Sequence, residues 1–126
     1  MTTPIPSNAE LEILRILWRR GPSTVRDVHD ELKGERDVGY TTVLKTMQVM
    51  AEKKLVTRDE SERSHVYKPA VEEKSVKRRL VSELLDKAFD GSAAQLVMQA
   101  LSDKRASPED LRKIRKLLDE SSRKPL

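Results

Sequence analysis

The chain has 126 residues, 37% of them hydrophobic and 37% charged, with one Trp, two Tyr, one Phe and no Cys. That length allows one compact domain or a small domain with a helical arm. The scarcity of aromatic residues speaks against an all-β sandwich, and the lack of cysteine excludes disulfides, thiolate metal sites and cysteine nucleophiles. A net charge of +4 is a mild bias toward anionic partners. No apolar run approaches the roughly 18 residues of a membrane span, and the N-terminus lacks the basic-then-apolar order of a signal peptide, so a cytoplasmic location without membrane insertion is expected.

Residues 1–7 contain Pro4 and Pro6 and read as a loose arm. A first helix is expected from Asn8, its cap, to Arg20, with Leu11, Leu14 and Trp18 at helical spacing and Ile13 and Leu17 widening the stripe. Gly21-Pro22 ends it. A second helix opens on a capping box, Thr24-Val25-Arg26-Asp27 (Ser23 being the alternative cap), and buries Val25, Val28 and Leu32. The third runs from about Tyr40 to Lys53, with Val43, Met47 and Met50 on its inner stripe. The period then changes. Leu55–Arg58 and His65–Lys68 read as two strands joined by a polar turn, the second stopped by Pro69. Three helices and a small hairpin in this order are the layout of a winged helix-turn-helix.

The remainder is helical again. Glu72–Phe89 carries Val76, Leu80, Leu84 and Ala88 at spacings of four, Ala93–Leu101 is short and apolar, and Ser107-Pro108-Glu109-Asp110 starts a last helix. Such helices bury little core by themselves. This half is read as a dimerisation arm that completes its core with a second chain, through Leu80, Leu84, Leu96, Leu101, Leu111, Ile114 and Leu118; the alternative is packing against its own N-terminal domain. The expected architecture is therefore mainly α with a small β-hairpin: a winged helix-turn-helix over residues 1–71 and a helical dimerisation domain over 72–126.

The third helix carries the functional signal. From Asp27 to Asp37 the chain is acidic, whereas Gly39–Arg58 holds Lys45, Lys53, Lys54 and Arg58 against Glu52 alone. With Val43, Met47 and Met50 inward, Thr41, Lys45 and Gln48 form an i, i+4, i+7 line, with Tyr40 and Thr42 beside it at the helix start. Short hydroxyls permit close approach to base edges, a threonine methyl can meet a thymine methyl, and Lys45 can donate to guanine or phosphate. One of the two threonines is also expected to cap the helix. Arg63, in the turn between the strands, is placed for the backbone or minor groove, with Arg58 and Lys68 as further phosphate contacts. Met47 and Met50 belong to the core.

Three segments, AELEILRILWRRGPSTVRDVHDEL, GYTTVLKTMQVMAEKKLV and RSHVYKPAV, resemble, in order and spacing, the opening helices, the recognition helix and the wing return strand of the penicillinase-repressor family of bacterial winged-helix regulators. The likeness runs from Asn8 to Val71 in sequence and from Glu72 to Glu120 in helical layout. It implies a homodimeric repressor of dyad-symmetric operators near promoters, with TACA/TGTA-type half-sites, the third helix in the major groove and the wing on the backbone or minor groove. It also implies control of β-lactam-resistance or related stress genes. Type members are inactivated when a membrane sensor protease cuts an Asn-Phe bond; in LVMQAL that position falls at Gln99-Ala100, and the departure leaves cleavage there open. A related branch senses copper through cysteine pairs that this chain lacks.

Other classes have less behind them. A winged-helix module that binds only proteins shares the fold but needs no basic, short-side-chain helix face. His29 and His65 lie on different elements without a nucleophilic or acid–base constellation, so no catalytic residue, metal or cofactor is expected.

Overall fold

A computed structural model describes residues 3–123. Six helices and one hairpin follow in chain order: α1 Asn8–Arg20, α2 Val25–Lys33, α3 Tyr40–Glu52, β1 Val56–Asp59, β2 Val66–Pro69, α4 Glu73–Ala88, α5 Ala93–Ser102 and α6 Pro108–Arg123. The fold is mainly α with a two-stranded antiparallel wing. No described helix is long and apolar enough to cross a membrane.

The cap of α1 is Ser7 rather than Asn8. Its Oγ accepts from the Glu10 N–H at 3.2 Å while the Glu10 carboxylate accepts from the Ser7 N–H at 2.8 Å. Either residue can cap, but only Ser7 has an acid three residues on to close the reciprocal box. In α2 the box forms on Thr24 with Asp27; Ser23 instead donates its hydroxyl to the Gly21 carbonyl.

The core is built from one stripe of each element: Ile13, Leu14, Ile16 and Leu17 of α1, Val25, Val28 and Leu32 of α2, Val43, Met47 and Met50 of α3, then Leu55, Val56 and Tyr67 of the wing. In α1 the stripe centres on Leu14 and Leu17, with Leu11 and Trp18 only half-buried at its margins. Each strand starts one residue later than the sequence pattern suggests. Leu55 completes the turn after α3, its N–H bonded to the Met50 carbonyl at 2.9 Å. Ser23 and Tyr67 exchange both backbone hydrogen bonds, at 2.9 and 2.8 Å, so the α1–α2 connection pairs with the outer edge of β2. The Trp18 indole N–H donates to the Val71 carbonyl at 3.1 Å, fixing the chain as it leaves the wing.

The described chain divides into two compact units between Val81 and Ser82, inside α4. Val76, in the first half of α4, is fully buried. The second unit has no fully buried residue in α5 or in the described part of α6. Serines start both helices, Ser92 accepting from the Gln95 N–H and Ser107 forming a box with Asp110.

Candidate nucleic-acid interface

At about 100° per residue, the buried Val43, Met47 and Met50 define the inner face of α3. Thr41, Lys45 and Glu52 stand opposite, with Gln48 on one flank and Thr42 and Val49 on the other, all exposed. Lys45 makes no ion pair among the described residues. Glu52 and Val49 were not anticipated on this face; Val49 is 40% exposed, an apolar side chain among polar ones.

The start of α3 differs from the expected capping. Gly39 occupies the cap position, no side chain bonds the first turn, and no acid lies within it. Thr41 and Thr42 leave the leading N–H groups open, and within the helix the Thr46 hydroxyl donates back to the Thr42 carbonyl at 2.8 Å. Exposed N–H groups and the positive end of the helix dipole favour an anion here.

Tyr40 does not point freely outward. The His29 ring meets it edge-on, with centroids 5.8 Å apart, and the Arg26 guanidinium lies 5.4 Å from its centroid. Tyr40, Gln48 and Arg63 line one concavity of about 500 Å³, together with Arg26, Asp30 and His65. Helix α3, the wing turn and the start of α2 thus share a surface. Arg26 was missed by the sequence reading because its neighbourhood with Tyr40 exists only once α2 packs on α3.

Arg58 lies apart from that group. It is directly opposite Tyr67 in the hairpin, so both project to one face of the wing. Its guanidinium contacts Glu60 at 2.9 Å, and Tyr67 and Glu60 together hold it above its ordinary value. Arg58, Thr57 and Lys68 line a different concavity with Pro22. Arg63 is exposed and unpaired among the described residues, while the Asp59 carboxylate accepts the Ser61 N–H at 2.9 Å and shapes the turn beneath it. That hydrogen bond lowers the Asp59 pKa.

The opposite end of α3 is anchored. The Lys53 ammonium donates to Glu10 at 2.9 Å, and Glu10 is only 3% exposed. Burial pushes the Glu10 carboxyl up, but the Ser7 N–H and Lys53 outweigh it and hold the group below its ordinary value.

In the second unit, Leu84, Leu101, Leu111 and Leu118 are exposed, and Leu80, at the end of the first unit, Leu96 and Ile114 are half-buried. Val97, Met98 and Leu117 add to the exposed apolar surface. Leu96, Leu101, Ile114 and Leu117 line a groove of about 520 Å³ between α5 and α6. Gln99 and Ala100 lie exposed within α5. No group of three or more His, Cys, Asp or Glu among the described residues is placed to hold a metal.

Comparison with known proteins gives these surfaces a context. A family model described as penicillinase repressor matches residues 6–120. The transcriptional regulator BlaI of Mycobacterium tuberculosis (strain ATCC 25618 / H37Rv) is 34% identical over 90 residues, 71% of this chain and 65% of that protein, so the match spans less than two thirds of that relative. The methicillin resistance regulatory protein MecI of Staphylococcus aureus (strain N315) is 20% identical over 90% of this chain and 92% of its own length. Among solved structures, the DNA binding domain of the repressor BlaI and the Bacillus licheniformis BlaI monomeric form in complex with the blaP half-operator each align at 24% identity with a TM-score of 0.52, over 60% of this chain and 93% of theirs. That likeness speaks for the winged-helix fold. With the family model spanning both the winged helix and the C-terminal helices, the chain belongs to the penicillinase repressor family.

Proposed function

We propose that this chain is a homodimeric transcriptional repressor that binds dyad-symmetric operator DNA near promoters. Residues 1–71 act as the DNA-binding domain and residues 72–126 as the dimerisation domain. The observation that carries this reading is the outer face of α3: Thr41, Thr42, Lys45 and Gln48 exposed behind an uncapped helix start, beside a concavity shared with Arg63. In this reading α3 enters the major groove, Tyr40 and the open N–H groups meet the backbone at its start, and Arg63 reaches the backbone or minor groove. Arg58 contributes to phosphate contacts only by sharing its guanidinium with Glu60. The relatives named as regulators of methicillin resistance and as penicillinase repressor support control of β-lactam-resistance or related stress genes.

The exposed leucines of α4, α5 and α6 are the proposed dimer surface, since a second copy carries the same apolar stripes and can cover them. A membrane sensor protease is the proposed inactivating partner, acting at Gln99-Ala100. That bond lies within α5, so cutting it requires local unwinding of the helix. Recovery of the intact chain from derepressed cells would exclude this route.

The deciding experiment is selection of bound fragments from the source genome, followed by footprinting at two salt concentrations. A protected dyad upstream of a gene is the expected result. Uniform weak binding that vanishes with salt would reduce the chain to a nonspecific DNA binder. No binding at all would favour a module that docks only on proteins.

A further inference from the structure

We propose that Arg26, on α2, is a DNA-backbone contact whose guanidinium is held over the Tyr40 ring so that it bonds a phosphate beside the start of α3. The inference rests on the reading of α3 as the DNA-facing helix and adds a second helix to that surface.

Three observations converge on it. Arg26 and His29 are one turn apart on α2, so both reach the same neighbour across the interface with α3, and that neighbour is Tyr40. The His29 ring is itself fixed, its Nε2–H donating to the Val38 carbonyl at 2.9 Å in the loop leading into α3. Tyr40 is thereby pinned along one edge, and its open face carries Arg26 as a cation–π partner. An arginine stacked in this way has lost much of its rotational freedom while keeping its N–H groups for a planar, bidentate acceptor such as phosphate.

The second observation is charge. Arg19, Arg20 and Arg36, the other arginines on or packed against α2, are each paired with a carboxylate: Glu31, Asp27 and Glu31, and Glu12 respectively. Among the described residues Arg26 has no such partner, and it is exposed. Asp27, the nearest acid in sequence, is taken up by the Thr24 box and by Arg20. Asp30 lines the same concavity and, among the described residues, is the acid there without a basic partner, so it opposes an anion.

The third observation is position. Arg26 shares its concavity with Gln48 and with the wing residue Arg63, and it sits beside the α3 turn whose N–H groups no side chain caps. A strand of DNA backbone passing the start of α3 would meet the guanidinium and these N–H groups together.

The test uses the full chain and a duplex that it selects from a random-sequence pool, with affinity measured across about 50–200 mM salt. Arg26→Gln is expected to reduce the slope of log affinity against log salt by about one and to weaken selected and unrelated duplexes alike. The ratio of wild-type to variant affinity should therefore shrink about fourfold over that range. Arg26→Lys keeps the charge and should retain most of the slope. Tyr40→Leu, which removes the ring beneath the guanidinium, should lose affinity, and should lose less of it when Arg26→Gln is already present. An unchanged slope for Arg26→Gln, in a variant that melts as wild type does and still binds in a salt-dependent way, would overturn the inference and leave the DNA reading intact. A wild-type chain that selects no duplex would overturn both.

Discussion

Glu10 is a carboxylate that folding takes almost wholly out of water, and it remains charged because Ser7 and Lys53 supply donors. Its pKa in the folded chain is below the ordinary value of about 4.5. Its contribution to stability is therefore fully present above that value and is lost as pH falls through the lower folded one. Glu10→Gln is expected to be about 1–2 kcal/mol less stable than wild type at pH 7, since Lys53 is half exposed and its attraction is partly screened. The gap should narrow as the solution is acidified below about pH 4.5. A gap independent of pH in thermal melts would mean that the ion pair contributes nothing. At the proposed DNA surface, Lys45→Ala is expected to cost about 1–3 kcal/mol of operator binding if Lys45 contacts a base, with relaxed discrimination at one position. Equal loss on all sequences, read by competition with mutated duplexes, would reassign Lys45 to phosphate. The outward position of Lys45 on α3 was legible in the helical spacing, but the partner of Lys53 was not. The lysine at position 53 looked like part of a basic surface, and its engagement with Glu10, 43 residues earlier, is a product of packing.

The helices were legible as elements because their apolar residues repeat at helical spacing over two or more turns. The inner stripe of α3 and the hairpin after it follow from that pattern. What the pattern does not determine is how elements begin, end and touch. The caps of α1 and α3 shifted from Asn8 to Ser7 and from a threonine to Gly39. The Ser23–Tyr67 pairing and the stack of Arg26 and His29 on Tyr40 join residues with no periodic relation. The exit of α3 offers a direct test of element ends. Lys54 has φ of 65°, the left-handed conformation in which glycine is least strained. Its N–H reaches the Ala51 carbonyl, and the next N–H returns to Met50. Lys54→Gly is expected to stabilise the winged domain by about 0.5–1 kcal/mol, the relief of strain exceeding the added entropy of the unfolded chain. A lower melting temperature for this variant would show that the lysine side chain contributes more than its backbone costs.

At the scale of the whole molecule, the first unit has a closed core while the second shows its leucines to solvent. A two-fold dimer would offer one copy of α3 to each half-site of the duplex. Inserting about 5 bp between half-sites should then turn them to opposite faces and sharply reduce affinity; unchanged affinity in a gel-shift series would rule out rigid two-fold docking. Leu118→Asp, at a side chain that is 61% exposed, should weaken the dimer about 100-fold or more by sedimentation, as expected for losing a leucine's burial from each of the two chains. The Trp18–Val71 contact gives that experiment an optical reading. The chain's one tryptophan and both tyrosines belong to the first unit, and Phe89 is the only aromatic residue of the second. Indole emission thus watches one half of the molecule and is blind to the other, whereas far-ultraviolet dichroism weighs the helices of both. On dilution the dichroism midpoint should fall while the emission midpoint stays in place, so that the distance between the two curves becomes a colorimeter of self-association written into the chain by where its aromatic residues were put.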